Sequence, residues 1–352
     1  MKNVVIIMAG GVGSRFWPIS TPEMPKQFLK LIDKDKTMIQ LTVERIMPIV
    51  KCEDIFIVTN EKYKDIIFSQ LTNIPNENIL FEPIAKNTST CIAYATAVIK
   101  AKYGDANVIV LSSDAAIVNK ELFIDNINVA LQCSLNNNIV TLGIIPTRIE
   151  TGYGYIKLGN KLENSSVYKV DKFVEKPSYD VAKEYYKSQL YLWNSGIFVF
   201  KNSVMEESFE KYMSNLYIDI DRIYKAFGKE NYKDIVYDVF NNADSISIDY
   251  GIMEKAKNIC VVPCSFGWDD VGSWLSVDRL RKKDINENII DGNVIELNCK
   301  NNILINNEQA KKVVCYGLTD IIVVNTNDSI LIIPKDETCN IKKIIEKVNK
   351  NN

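Results

Sequence analysis

Between residues 4 and 142, short β-branched runs alternate with longer segments of helical period, and that alternation is the strongest constraint on the fold. Val4–Met8, Ile55–Val58, Ile79–Phe81, Val108–Leu111 and Ile139–Leu142 read as strands. Between them, Thr37–Ile46, Lys62–Leu71, Thr88–Lys102 and Leu122–Leu131 carry apolar residues at helical spacing. Such a rhythm builds a mostly parallel sheet covered by helices, because each crossover lays a helix on a sheet face. Ligands then gather beyond the carboxyl ends of the strands. A glycine-dense turn follows the first run, Glu82-Pro83 the third, and "SSD" the fourth.

From about Gly152 the text changes to hairpin-like pieces, "GYGYIKL", "YKVDKFVEKP" and "GIFVF", expected to form an insertion that covers one side of the sheet and receives a second substrate. After about Asp284 it changes again, to short strands broken by Asn, Gly and Asp. These predict a small all-β unit, a coiled β-solenoid, that ends in a Lys-rich helix over Ile341–Val348 and acts as a scaffold or dimer surface. The expected division of the 352 residues is therefore 1–283 and 284–352.

Composition excludes several chemistries. There is no histidine, so Ser-His-Asp and Cys-His nucleophile systems are ruled out. The eight cysteines contain no CxxC pair, which disfavours zinc and suits buried thiols in a reducing, cytoplasmic setting. A net charge of -2 creates no field to recruit nucleic acid or an anionic membrane, and no apolar run reaches membrane-spanning length. Any bound anion must be held by a few local groups.

The turn "MAGGVGSRF" supplies such groups. Its glycines are Gly10, Gly11 and Gly13, but Phe16 stands where a dinucleotide-binding turn would close with glycine, and the Walker A string is absent. What remains is backbone N–H that can approach an anion closely, flanked by the fork of Arg15 and the compact charge of Lys26, which Pro25 positions. This combination suits a polyphosphate. The competing reading is a tight turn with two solvated cations.

"AGGVGSRFWP" followed by "PKQFLKL" resembles the signature of the sugar-nucleotide pyrophosphorylases, the mannose-1-phosphate guanylyltransferases in particular. "FEPIAKNTST", "TGYGYIKLG", "FVEKP", "WNSGIFVF", "SIDYGIMEK" and "FGWDDVGSW" follow in the family's order, and the tail resembles the β-helical end of its shorter members. The resemblance implies an α/β fold: a Rossmann-like, mostly parallel nucleotidyltransferase domain of GT-A-like type with a small C-terminal β-helix-like domain. It implies transfer of GMP from GTP to mannose 1-phosphate, with GDP-mannose and pyrophosphate as products and Mg²⁺ as cofactor. A sugar phosphate with a second pKa of about 6 is largely dianionic at neutral pH, so this reaction needs no histidine base.

By the same resemblance, Ala9, Gly10, Gly11, Gly13, Ser14, Arg15 and Lys26 serve the nucleotide phosphates, and Glu82, Pro83, Asn87 and Thr88 lie toward the base. Asp114 and Asp270 match the metal positions, with Asp269 as the adjacent competitor. Gly154, Glu175, Lys176, Asn194 and Asp270 serve the sugar phosphate. Arg15, Lys26, Asp114, Lys176 and Asp270 form the catalytic set. The family reads Pro-Ala-Asp-His where this chain has Ser112, Ser113, Asp114 and Ala115, so an imidazole beside the metal ligand is lost.

Each of these residues also has a structural reading. Asp114 could cap a helix, Glu82 or Asn87 could cap the helix beginning near Thr88, and Glu175 with Lys176 could be a surface ion pair. Gly154 and Asn194 could serve a turn, and Trp17, Trp193, Trp268 and Trp274 could be core. Three alternatives to the implied reaction stay open: thymidylyl or uridylyl transfer to glucose 1-phosphate, guanylyl transfer to a heptose phosphate, and a non-catalytic sugar-nucleotide sensor. A homodimer is equally left open.

Overall fold

The computed structural model describes residues 1–11 and 13–350. Two compact units divide the chain: Met1–Gly10, Thr42–Ser113 and Ile117–Trp268 form the first, and Gly11–Leu41, Asp114–Ala116 and Asp269–Asn352 the second.

The first unit is built on one nine-stranded sheet. Its strands are β1 (Asn3–Met8), β2 (Ile55–Asn60), β3 (Ile79–Glu82), β4 (Asn107–Ser112), β5 (Ile139–Ile144), β6 (Tyr155–Lys161), β7 (Tyr168–Val174), β8 (Tyr191–Lys201) and β9 (Ile259–Cys264). Their spatial order is β3-β2-β1-β4-β8-β5-β9-β7-β6, and β8 also pairs with β6. Parallel order holds between β1 and β2, β1 and β4, β2 and β3, and β5 and β9; all but β9 are strands of the expected alternation.

The segments after Gly152 do not cover one side of the sheet as expected; they join it. Strands β6 and β7 form its edge, and β8 runs antiparallel between β4 and β5. The reason lies in the side chains of β8: consecutive Phe198, Val199 and Phe200 are all buried, so both faces of that strand must be covered.

Helix α1 (Met38–Ile46), α2 (Lys64–Gln70), α3 (Asn87–Tyr103) and α4 (Lys120–Ser134) fall where the helical spacing put them. The residues of α3 from Ser89 to Ile99 are themselves buried, because α5 (Asn202–Tyr212), α6 (Ser214–Ala226) and β1 all pack against that helix. The parallel registers Met8↔Ser112 and Asn60↔Glu82 bring the carboxyl ends of β1 to β4 to one edge of the sheet. There Thr59 Oγ1 donates to Ala9 O at 3.0 Å and Ser113 N to Met8 O at 3.0 Å.

In the second unit, strands at Ile289–Gly292, Ile303–Asn306 and Ile321–Asn325 stack in parallel, and Ile330–Pro334 closes the stack antiparallel. Val294–Leu297 and Val313–Tyr316 pair in parallel as the second face of the coil. The asparagines that break up the sequence line its corners. Asn302 Nδ2 donates to Asn288 Oδ1 at 3.0 Å and to Leu318 O at 2.9 Å, its Oδ1 accepts from Ile321 N, and Asn325 Nδ2 donates to Asn306 Oδ1 at 2.8 Å. Asn288, Asn302, Asn306 and Asn325 are all buried, so these bonds between successive coils satisfy groups that water cannot reach.

Compactness and sequence order divide the chain differently. Phe16, Leu29, Leu31 and Met38 share one apolar core with Trp274, Val277, Ile303, Ile322 and Ile333, which groups the glycine turn with the solenoid. Phe16 and Trp274 meet edge to face with centroids 5.4 Å apart. Asn302→Ala should orphan Ile321 N and take from Asn288 Oδ1 and Leu318 O one of the two donors each has, the others being Asn302 N and Lys300 N, and should lower unfolding free energy by roughly 1–3 kcal/mol in a denaturant titration.

Candidate functional site

The glycine turn is held by its own stretch of chain. Gly11 and Gly13 take φ of 94° and 62°, in the left-handed region, while Gln27 Nε2 donates to Gly11 O at 3.2 Å and Ser20 Oγ to Gly13 O at 2.8 Å. A Cβ at Gly13 would lie 2.6 Å from Lys26 Cβ, so glycine is what lets the lysine pass behind the turn.

Lys26 is 9% exposed, which removes the reading of two solvated cations. Its Nζ donates to Asp270 O at 2.8 Å and Val271 O at 3.0 Å and pairs with Asp114 Oδ2 at 2.9 Å. An ammonium has three N–H groups, and all three are used. Lys26 therefore ties the turn, Asp114 and the 270–271 segment together as well as carrying charge.

The adjacent aspartates separate cleanly. Asp269 is buried; Arg279 Nη2 and Nε donate to its Oδ2 at 2.6 and 3.1 Å, and Val271 N to its Oδ1 at 2.9 Å. Asp270 instead lines a cavity of about 250 Å³ with Gly11, Gly13, Arg15, Lys26 and Asp114. Immediately after them Val271 adopts φ 47°, an outlier for a β-branched residue. That strain turns the Val271 carbonyl to Lys26, and such outliers cluster at functional sites. Arg15 Nη1 donates to Gly272 O at 3.3 Å, and Ser14 lines the same cavity.

Asp114 does not cap the following helix: α4 is capped by Asn119, whose Oδ1 accepts from Leu122 N at 2.9 Å. Ala115, next to Asp114, is buried. Among the described residues no group of three or more Cys, Asp or Glu side chains is arranged to hold a metal, so Asp114 and Asp270 offer two carboxylates and no more.

In the first unit, Glu82 ends β3 beside Pro83 and is 7% exposed. Burial pushes its carboxyl up to about 7, partly offset by the hydrogen bond from the Cys91 thiol of α3. It makes no cap to α3, whereas Asn87 Oδ1 accepts from Thr88 N at 2.9 Å and Thr88 Oγ1 from Ile248 N at 2.8 Å, so those two also shape the start of the helix.

The sugar-phosphate candidates of this unit come together. Asn194 N donates to Gly154 O at 2.8 Å, and Glu175 sits so close to Gly154 that any Cβ there would strike its carboxylate. Lys176 takes φ 43°, is well exposed, and its Nζ lies 3.4 Å from Glu175 Oε1. Sequence reading missed Asp249, although it lies in the quoted "SIDYGIMEK". Its Oδ1 accepts from Asn194 Nδ2 at 2.8 Å, and burial, reinforced by the Glu175 charge, raises its carboxyl to about 6. Asp249 opens a π-helical turn, Asp249–Met253, a form frequent at functional sites. Trp193, Trp268 and Trp274 are buried core.

The two aspartates should differ in what they support. Asp269→Ala, which strips Arg279 and Val271 N of their acceptor, should cost roughly 2–3 kcal/mol of unfolding free energy. Asp270→Ala should stay within about 1 kcal/mol of the unaltered chain. Thermal and denaturant unfolding of both variants measure this directly.

Residues 4–287 match the nucleotidyl transferase family model, and 292–348 match the mannose-phosphate isomerase/GMP-like β-helix domain. Mannose-1-phosphate guanylyltransferases from Salmonella montevideo and Salmonella muenchen are 37% and 33% identical over 97% and 100% of this chain. The chain spans 73% and 74% of their respective lengths. A solved structure described as mannose-1-phosphate geranyltransferase from Thermus thermophilus is 30% identical, with a TM-score of 0.88, over 99% of this chain and all of that one. The chain belongs to the nucleotidyl transferase family, among the mannose-1-phosphate guanylyltransferases.

Proposed function

We propose that this chain transfers GMP from GTP to α-D-mannose 1-phosphate, giving GDP-mannose and pyrophosphate. The observation that carries the reading is the convergence of a glycine turn, Arg15, Lys26, Asp114 and Asp270 on one cavity. A sugar-phosphate oxygen attacks the α-phosphorus; that P–O bond forms as the bond to the β-phosphate's bridging oxygen breaks. The leaving pyrophosphate keeps the electron pair. Two anions must meet, so catalysis is positioning and neutralisation of charge.

In this proposal Ala9, Gly10, Gly11, Gly13 and Ser14 present backbone to the phosphates, and Arg15 and Lys26 neutralise them. Lys176 meets the sugar phosphate, and Glu175 and Asn194 take the mannose hydroxyls beside Gly154. Asn194 spends one amide N–H on Asp249 and its Oδ1 accepts from Gly196 N at 3.1 Å, which fixes the amide plane. Glu82, with Pro83, Asn87 and Thr88 around the start of α3, reads the base: an ionised carboxylate accepts the two donors on guanine's N1 and N2 edge.

Asp114 and Asp270 fit Mg²⁺, a hard cation that takes few carboxylates and keeps water and phosphate oxygens as its other ligands. When bound, it polarises phosphoryl oxygens and steadies the developing charge. By sequence we assign catalysis to 1–283 and a β-helix-like scaffold to 284–352. Among the described residues no helix is long and apolar enough to cross a membrane. We read the protein as a cytoplasmic enzyme of small-molecule substrates.

Pyrophosphate release should be fastest with GTP and mannose 1-phosphate when each nucleoside triphosphate is paired in turn with mannose, glucose and heptose phosphates. Silence with every pair, in folded protein with Mg²⁺, would reverse the proposal in favour of a sensor. Asp270→Ala should abolish turnover at ordinary Mg²⁺, and Lys176→Ala should reduce kcat/KM for mannose 1-phosphate at least tenfold, about the worth of one charged hydrogen bond.

GTP use should also report on Glu82. Because guanine needs the ionised carboxylate and burial holds this group near 7, KM for GTP should rise as pH falls through 7. The neighbours that titrate against it, the Cys91 thiol and the Tyr94 hydroxyl, are both pushed well above their ordinary values and stay neutral in this range. Glu82→Gln should flatten that dependence relative to the unaltered chain.

A further inference from the structure

We propose that Lys342, on the closing helix of the solenoid, is a third cationic ligand for the leaving end of the triphosphate, so that this helix takes part in holding pyrophosphate. The inference rests on the nucleotidyl-transfer reading above and extends it to a residue outside the nucleotidyl transferase match, which ends at residue 287.

Three observations meet here. Lys342 lines the same cavity as Gly11, Arg15, Asp114 and Asp270. Its helix, Ile341–Lys350, turns Ile341, Ile344 and Ile345 into the apolar core shared with Phe16, Trp274 and Ile333. At roughly 100° per residue, Lys342 stands at the flank of that buried stripe, next to the glycine turn. The isoleucines thus hold the lysine at the rim of the cavity while leaving its ammonium exposed.

The charge inventory of the cavity gives it a task. Its cations are Arg15, Lys26 and Lys342, and its anions Asp114 and Asp270. Lys26 has all three N–H groups engaged by Asp270 O, Val271 O and Asp114. Arg15 has one on Gly272 O. Among the described residues Lys342 makes no hydrogen bond or ion pair. A pyrophosphate departing with extra charge needs donors that are not already spent, and Lys342 and the rest of the Arg15 fork supply them.

The test compares Lys342→Ala, Lys342→Arg and Lys343→Ala in the full chain, in both directions of the reaction. Lys342→Ala should raise KM for GTP and for pyrophosphate roughly tenfold, the worth of one charged hydrogen bond. KM for mannose 1-phosphate and the affinity for GDP-mannose, which lacks the leaving group, should stay within about twofold. Lys342→Arg should recover most of the loss, and Lys343→Ala should behave as the unaltered chain. Unchanged KM for pyrophosphate, or equal weakening of GTP and GDP-mannose, overturns the proposal.

A second measurement needs neither a variant nor turnover: acetylation of lysines in the unaltered protein, read by mass spectrometry with and without pyrophosphate and Mg²⁺. Protection of Lys342 but not Lys343 supports the proposal, and equal reactivity of Lys342 in both conditions overturns it. A chain that shows no turnover with any substrate pair defeats the activity reading alone.

Discussion

The ammonium of Lys26 is the interaction on which the second unit's cavity depends. A single buried cation accepts no hydrogen bonds and must satisfy three N–H groups, and it does so on segments far apart in sequence: Asp114, Asp270 and Val271. An unpaired buried ammonium costs far more than any one of these bonds contributes, so the three acceptors and the lysine fix one another. Gly13 is part of the same constraint, since any side chain there would strike the lysine stem. The glycine turn, a carboxylate and the strained 270–272 segment are thereby brought to one place.

Preorganisation of this kind suits a reaction without a base. In the proposed reaction the nucleophile is already an anion, so the task is to overcome repulsion between charges rather than to move a proton. The neighbouring aspartates show how the work is shared. Asp269 is saturated by Arg279 and Val271 N and holds the segment, which leaves Asp270 turned to the cavity. The left-handed Val271 that follows them is a conformational cost borne by the same segment, whose Val271 carbonyl accepts from Lys26. Ala115 beside Asp114 is buried and carries no polar group, and Lys26 holds the Asp114 carboxylate directly.

Much of this was legible in the chain because it rests on local pattern. Strand and helix positions through Ile144, the solenoid and its closing helix follow from period and from turn residues, and the glycine turn with Arg15 follows from steric freedom and charge. What was not legible depends on contacts across long sequence separations. Periodicity cannot say that β8, rich in apolar residues on both faces, enters the middle of the sheet instead of lying over it. Nothing in "WDDVGSW" says which aspartate Arg279 will take. Asp249 lay inside a quoted string, but its role beside Asn194 appears only when a π-helical turn meets a strand some fifty residues earlier. Lys342 reads as one lysine among several until the isoleucines of its helix are packed.

The central claim is that a histidine-free cavity holds a nucleotide by its phosphates, through backbone N–H, cationic side chains and two aspartates. The most direct measurement is a crystal structure with GTP and Mg²⁺ bound. The account predicts the triphosphate along Gly11 and Gly13, with Arg15 on its oxygens and the cation against Asp114 and Asp270. A triphosphate seated elsewhere, away from Gly11 and Arg15, would contradict it.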